Sequence, residues 1–306
     1  MADIVARTDI AAVEQEISRH RRLIARIALL VFAIYAAVCA FFYFRQDKMT
    51  FPAPASYPRA SPLDAGLPFE DLHIPVNKSQ QIHAWWIPAD PASASADKVL
   101  LAFHGNGYVL EQSVTLEMIP LHSLGANLLL VDYRGYGSSS AEIPTEERVN
   151  EDARAAFDYL TSQREVPSRN IVLLGRSIGT GPATELAKEH ADAGGLILIS
   201  PFTSTVDIAK TIWYLRIFPL ALLSHNRFDN LLKIKGVHIP IFIAVGSEDR
   251  LTPPAMAQAL FKNANNPKQL YISPGADHNN IMEIGVAGLE KQLTTFLETI
   301  HRGRPL

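Results

Sequence analysis

The chain has 306 residues, a formal net charge of -3 and a single cysteine, Cys39. One cysteine excludes disulfides and cysteine-based metal sites within the chain, and the near-balanced charge without a large basic cluster argues against nucleic-acid binding. The length would allow two domains, but one α/β domain commonly takes all the residues left after an anchor and a linker are removed.

The N-terminal region contains an uncharged apolar segment over residues 27–44. As a helix, this segment would be about 27 Å long, close to the roughly 30 Å of a bilayer's hydrocarbon core, so it predicts a transmembrane helix. More basic residues precede the segment than follow it, which favours a cytoplasmic N-terminal segment over residues 1–26 and an extracytoplasmic (periplasmic or luminal) position for the remainder. The basic residues that precede it are Arg19, Arg21, Arg22 and Arg26, and those that follow it are Arg45 and Lys48.

Two other interpretations of this segment stay open. A cleaved signal peptide is the main competitor, but the 26-residue leader and the bulky residues at 41–44 argue against cleavage. Val38 next to Cys39 also makes a poor lipidation site. A buried core helix would have the same composition, yet the segment lies outside the strand and helix pattern that follows.

Residues 45–62 contain four prolines, a composition that predicts a semi-rigid, extended spacer. The region 63–306 then carries alternating strand and helix patterns. These predict two antiparallel strands followed by a mostly parallel, doubly wound sheet with helices on both faces. The predicted strands cover 70–75, 81–87, 99–103, 128–131, 171–174, a stretch ending near 200, 241–245 and 269–272, and the predicted helices cover about 109–124, 145–162 and 180–190.

The pentapeptide from Gly175 to Gly179 lies between a predicted strand and a predicted helix, with Ser177 at its centre. A strained strand-to-helix turn projects a serine hydroxyl towards a base, which is what an activated serine nucleophile needs. Glycines at the two ends have a steric reason, because side chains there would collide with the neighbouring strand and helix.

An acid and a base follow Ser177 in the order known for a catalytic triad. Asp249 follows the strand predicted at 241–245, and His278 follows the one at 269–272. Each residue also has a structural interpretation: Ser177 and Asp249 could cap helices, and His278 could be an ordinary loop histidine. The joint agreement of motif, context and order favours Ser177 as nucleophile, Asp249 as acid and His278 as base.

Beyond this motif, five further segments carry a family resemblance from about Leu67 to the C-terminus. These segments are His104 to Gly107, Asp132 to Gly137, Ser200 to Phe202, Gly246 to Asp249 and Gly275 to His278. Together with the pentapeptide they resemble the α/β-hydrolase superfamily, and within it the membrane-anchored serine hydrolases of the serine-aminopeptidase-like type.

The resemblance implies an α/β-hydrolase fold with a short helical insertion at residues 203–236. It also implies that the amides of Asn106 and Ile178 form an oxyanion hole, and it favours Asp249 over its carboxylate neighbours Glu248 and Asp277, because resembling proteins carry Asp in a Gly-x-x-Asp turn here. The side chain of His104 is expected to brace its loop, and Arg134 to be an ion-paired loop residue.

The insertion at 203–236 is rich in aromatic and aliphatic residues, including Trp213, Leu222 and Phe228. It could form a lid or an acyl-chain pocket over the nucleophile, or its apolar side chains could simply pack against the body of the domain.

The sequence therefore predicts a membrane-tethered serine hydrolase that cleaves a carboxylic ester or thioester, with a small-molecule or lipid-like acyl substrate. The mechanism needs neither a metal nor an organic cofactor, and nothing in the sequence identifies a protein partner. A serine peptidase or amidase with the same triad, or a non-catalytic membrane-anchored interaction module, are the alternatives; a dehalogenase-type enzyme would need Asp in place of Ser177.

Overall fold

A computed structural model of the chain describes residues 2–284 and 286–301. Two compact units are distinguished, residues 1–46 and 47–306. The helices are α1 Ala2–Thr50, α2 Leu110–Ser113, α3 Ile119–His122, α4 Glu146–Ser162, α5 Thr180–Glu189, α6 Thr205–Thr211, α7 Leu220–Leu223, α8 Asn230–Lys233, α9 Pro254–Asn263 and α10 Val286–His301. The strands are β1 Glu70–Pro75, β2 Gln81–Ile87, β3 Val99–Phe103, β4 Asn127–Val131, β5 Ile171–Arg176, β6 Gly195–Ile199, β7 Ile241–Gly246 and β8 Lys268–Ser273.

The eight strands form one sheet in the order β1-β2-β4-β3-β5-β6-β7-β8. The first two pairings, β1 with β2 and β2 with β4, are antiparallel, and the remaining pairings are parallel. Strands β3, β5, β6 and β7 are buried along their whole length, as expected for parallel strands covered on both faces. The predicted mostly parallel, doubly wound sheet is confirmed.

Two apolar clusters cover the two faces of this sheet. One cluster holds buried residues of α4, α5 and α9, and the other holds buried residues of α2, α3 and α10. Because parallel strands share a direction, the loops that follow β3, β5, β7 and β8 leave the sheet at the same edge. The predicted site residues all lie in those loops.

The predicted helix at 109–124 is interrupted. A π-helical turn, Val114–Met118, separates α2 from α3. Pro120 at the start of α3 has no backbone N–H, so the regular hydrogen-bond ladder cannot continue through it.

Helix α1 contains the predicted membrane-spanning segment 27–44. Within the described residues, one stretch of helix, Gln15–Thr50, is long and apolar enough to cross a membrane, with a mean hydropathy of 2.5 in its most apolar window. The side chains of residues 2–14 lie outside the described part.

The start of the expected spacer at 45–62 differs from the prediction, because residues 45–50 belong to α1. The prolines of this region begin only at Pro52, so nothing earlier stops the helix. Phe51 is buried, and its ring packs against that of Phe228 with centroids 6.0 Å apart. Residues 51–61 belong to no helix or strand, and a 3₁₀ turn begins at Pro62, so the spacer is shorter than predicted at both ends.

Candidate active site

Ser177 sits in a strained turn between β5 and α5. Its φ angle is +51°, in the left-handed region that a residue with a side chain rarely adopts. A short 3₁₀ turn, Ser177–Gly179, links the strand to the helix. Strain of this kind is concentrated at functional sites, where the surrounding structure holds it in place.

The flanking glycines are required by close packing. A Cβ atom on Gly175 would overlap the carbonyl oxygen of Gly179, and one on Gly179 would overlap the carbonyl oxygen of Phe103 at the end of β3. The expected collision of side chains at both positions is confirmed.

The three predicted residues form a continuous hydrogen-bonded chain. Nε2 of His278 lies 2.9 Å from Oγ of Ser177, and Nδ1 of His278 lies 2.8 Å from Oδ2 of Asp249. The residues come from loops 101 and 29 positions apart in sequence, and the parallel strands β5, β7 and β8 bring them together. This geometry can pass the hydroxyl proton to the imidazole while the carboxylate holds the ring.

Asp249 is 3% exposed and is held by its own turn. The N–H groups of Leu251 and Thr252 donate to Oδ1 over 2.9 and 2.7 Å, and the hydroxyl of Thr252 donates to Oδ2 over 2.8 Å. Burial raises the pKa of the Asp249 carboxyl, but hydrogen bonds and the charge of His278, with those of Thr252, outweigh burial and hold the pKa below its usual value. The carboxylate is therefore ionised at neutral pH.

Of the predicted oxyanion-hole residues, Ile178 follows Ser177 directly in the chain. Asn106 follows Gly105, and a Cβ on Gly105 would stand 3.4 Å from Cβ of Ser177. The side chain of Asn106 is occupied: its Nδ2 donates to the carbonyl of Thr50 over 2.7 Å, and its Oδ1 accepts from Tyr136 over 3.2 Å. Any contribution of Asn106 to the site would thus come from its backbone N–H.

His104 and Arg134 have the structural contacts expected of them. Nδ1 of His104 lies 2.6 Å from the carbonyl oxygen of Gly105, and its Nε2 lies 3.2 Å from the buried carboxylate of Asp132. Arg134 is buried and pairs with Asp152 and with Glu151, over 2.5 and 2.6 Å. Its guanidinium also donates to Gln80 and to the carbonyl oxygen of Arg148, so each of its nitrogens has a partner in the protein.

Sequence reasoning missed three residues that contact the site or its loops: Thr252 bonds Asp249, Tyr108 bonds Gly105 and Arg176 bonds the backbone of His278. Thr252 stands three positions after Asp249, a spacing at which a hydroxyl and an amide can both reach the carboxylate. For Arg176 the available signal was its position: it is a charged residue at the end of a buried strand, directly before the nucleophile.

The insertion at 203–236 divides into a packed part and an exposed part. Phe228 is fully buried, and a Cβ on Gly181 would overlap its ring, so the end of the insertion packs on α5. Trp213 and Leu222 are 78% and 83% exposed. An open cavity of about 590 Å³ in this exposed part is lined by Lys210, Arg216 and residues 218–222.

Comparison with known proteins identifies relatives across most of the chain. A family profile described as "Serine aminopeptidase, S33" matches residues 94–233. An uncharacterised protein of Mycobacterium tuberculosis (strain CDC 1551 / Oshkosh) is 30% identical, over 83% of this chain and 88% of the relative. The human alpha/beta hydrolase domain-containing protein 17B is 30% identical, over 67% of each chain.

Solved structures share the fold. An esterase from Pyrococcus furiosus superposes with a TM-score of 0.67 at 20% identity, covering 80% of this chain and 96% of the esterase. At that identity the likeness supports the fold alone.

Proposed function

Because this chain belongs to the α/β-hydrolase family, we propose that it is a membrane-tethered serine hydrolase that cleaves a carboxylic ester or thioester through an acyl-enzyme. The single observation that carries this proposal is the hydrogen-bonded chain from Ser177 through His278 to Asp249, with 2.9 and 2.8 Å between the bonded atoms. Reaction type is argued from this site and not from the fold, which hosts many chemistries.

Acylation begins when Oγ of Ser177 attacks the carbonyl carbon of the substrate. Nε2 of His278 takes the hydroxyl proton as the new C–O bond forms, and Asp249 stabilises the resulting imidazolium. The carbonyl oxygen becomes an alkoxide, and the backbone N–H groups of Asn106 and Ile178 donate to it. Such a donor typically lowers the barrier by about 3 kcal/mol.

The tetrahedral intermediate collapses when the bond to the leaving group breaks. His278 gives its proton to the departing alcohol or thiol, which leaves an ester between the acyl group and Ser177. A water molecule then attacks this ester with His278 as its base, and the carboxylic acid departs while Ser177 regains its proton.

The exposed part of the insertion supports lipid-like or acylated substrates. Trp213 and Leu222 present large apolar surfaces to solvent, and clusters of exposed apolar residues commonly mark interaction sites. The cavity of about 590 Å³ there has an apolar lining with Lys210 and Arg216 among its residues, a combination that suits an amphiphile with an anionic group.

A serine peptidase or amidase with the same triad is the second candidate, and the description of the matching family profile, serine aminopeptidase, favours it. The experiment that distinguishes the esterase or thioesterase from the peptidase or amidase uses a matched series of butyryl and palmitoyl esters, thioesters and amides. Hydrolysis of each is measured with the detergent-purified full-length protein and with its Ser177→Ala variant. Ester or thioester turnover that is lost in the variant supports the proposal. Amide turnover at comparable efficiency supports the peptidase, and no turnover of any member favours a non-catalytic module.

The apolar helix supports a single-pass anchor, and the surplus of arginines before it supports a cytoplasmic N-terminus with the hydrolase domain on the extracytoplasmic side. Reporter fusions test this topology. A C-terminal alkaline phosphatase fusion should be active and a C-terminal green fluorescent protein fusion dark in a bacterial host, and the opposite pattern contradicts it.

A further inference from the structure

Arg176 bridges the strand that carries the nucleophile and the loop that carries the base. It is the last residue of β5, directly before Ser177, and it is only 7% exposed. Its Nη2 donates to the carbonyl oxygens of His278 and Asn279, over 3.2 and 3.1 Å. The guanidinium therefore holds the backbone of the histidine itself.

The other terminal nitrogen of Arg176 connects to the loop after β3, which contains Gly105. Nη1 forms an ion pair with the buried carboxylate of Glu117 and donates to the hydroxyl of Tyr108 over 3.2 Å. That hydroxyl donates to Glu117 and accepts the N–H of Gly105 over 2.9 Å. One network of three side chains thus joins the end of β5 to the loops after β3 and β8.

A guanidinium is suited to this position because it is planar and carries several donors in a fixed arrangement. Burial lowers the pKa of Arg176, but the charge of Glu117 and the hydroxyl of Tyr108 outweigh burial and raise it. Within the described residues each terminal nitrogen has two acceptors, whereas Nε is buried without a partner. The two terminal nitrogens are therefore engaged in holding the loops.

We propose that Arg176 is a positioning residue that fixes the separation of Ser177 and His278 and ties both to the Gly105 loop. The inference rests on the proposed serine chemistry. His278 lies in the loop between β8 and α10, whereas Ser177 lies directly between β5 and α5, so the backbone of the histidine has no strand or helix of its own to hold it. Arg176 joins them through a single side chain of defined length.

The test compares Arg176→Met and Arg176→Lys with Arg134→Met in the full-length, detergent-purified protein. Arg134 is a matched control because it is also a buried arginine paired with carboxylates, in the loop after β4. Three quantities are measured: the second-order rate constant for labelling of Ser177 by a fluorophosphonate, kcat and KM for p-nitrophenyl butyrate, and the thermal unfolding midpoint.

Labelling and kcat should fall about a hundredfold in Arg176→Met, with KM within about twofold of the wild type, because a small misplacement of catalytic groups costs about that factor. Arg134→Met should lose thermal stability but keep the wild-type labelling rate. Arg176→Lys should be intermediate, since lysine keeps the charge beside Glu117 but lacks the fork that reaches two carbonyls.

A folded Arg176→Met protein that labels at the wild-type rate overturns the inference, as does an equal loss of labelling in Arg134→Met. If Arg176→Met does not fold, Arg176→Lys decides: a wild-type labelling rate there overturns the inference as well. These results are distinct from a failure of the proposed function, in which the wild-type protein itself gives no adduct on Ser177.

Discussion

The hydroxyl of Thr252 donates a hydrogen bond to Oδ2 of Asp249 over 2.8 Å, and this is the same carboxylate oxygen that faces the imidazole of His278. Thr252→Val removes this bond while keeping the shape of the side chain and the backbone N–H bond to Oδ1. Because this bond fixes the carboxylate oxygen that orients the imidazole, and a small misplacement of catalytic groups costs up to about 10²-fold, kcat for p-nitrophenyl butyrate should fall about tenfold with KM unchanged. Thr252→Ser should retain wild-type kcat, and equal losses in both variants would contradict this role of the hydroxyl.

Substitutions of Asp249, Glu248 and Asp277 test which of these three carboxylates is the acid of the triad. Asp249→Asn should lower kcat by about 10³- to 10⁴-fold, because the amide favours the wrong tautomer of the ring. Glu248→Gln and Asp277→Asn should stay within a few fold of the wild type, since neither carboxylate contacts the imidazole of His278 in the described structure, and Asp277 is occupied by the N–H groups of Asn279 and Asn280. The measurement is steady-state kinetics of the three variants side by side. A large loss in either neighbour and none in Asp249→Asn would transfer the role of the acid.

The close approach at Gly179 predicts a stability defect. Gly179→Ala places a methyl group against the carbonyl of Phe103, and overpacking of this kind costs about 1–3 kcal/mol or more. The thermal unfolding midpoint should fall by at least several degrees, and the turn at Ser177 should be displaced. Gly236→Ala is the control, because its added Cβ would stand 3.3 Å from the flexible side chain of Lys188. Equal midpoints for the two variants would refute the steric argument.

His83 predicts a pH dependence of stability. Burial lowers the pKa of its imidazole, but the carboxylate of Asp132, 3.6 Å from Nδ1, and that of Asp71, which bonds Nε2 over 2.7 Å, outweigh burial and raise the pKa above its usual 6.5. The charged ring therefore stabilises the folded state, fully below about pH 6.5, and this contribution is lost as the pH rises through the raised pKa.

The measurement is the free energy of unfolding from denaturant titrations of the wild type and of His83→Gln between pH 5.5 and 8.5. The free energy of unfolding of the wild type should exceed that of His83→Gln most at pH 5.5, and this difference should shrink as the pH rises. A difference that grows with pH would have the opposite sign and would contradict the assignment.

The exposed part of the insertion predicts a dependence on acyl-chain length. In a Trp213→Ser, Leu222→Ser double variant, kcat/KM for palmitoyl esters should fall about tenfold or more, because the lost apolar contact area scales with chain length. Hydrolysis of acetyl and butyryl esters should be unchanged, which serves as the internal control. Equal losses for short and long chains would argue against an acyl-binding role.

Much of the fold followed from local pattern. The strands were predictable because buried parallel strands are short, continuous apolar runs bounded by glycine-rich loops, as in 241–246. The interruption at Val114–Met118 was not predictable from periodicity, because apolar residues continue through it, and the local signal for it was Pro120. Residues 45–50 were predicted to be part of the spacer because prolines follow closely, but a helix can continue up to the residue before the first proline.

Only those site residues that belong to a recognisable sequence motif could be predicted. Ser177, Asp249 and His278 follow strands in a recognisable order, and parallel pairing then brings them together. The partners of Arg176 could not be foreseen, because Glu117 is 59 positions away in sequence and the accepted carbonyls belong to the backbone. The insertion is buried at both ends, at Val206 and at Phe228, and exposed between them at Trp213 and Leu222, and composition alone does not distinguish buried from exposed apolar residues.

The central claim, that Ser177 is an activated nucleophile, is tested most directly by fluorophosphonate labelling of the full-length protein, with the adduct located by peptide mass spectrometry. The account predicts one adduct on Ser177 that is absent in Ser177→Ala and strongly reduced in His278→Ala. Folded wild-type protein that carries no adduct, or an adduct on another residue, would contradict it.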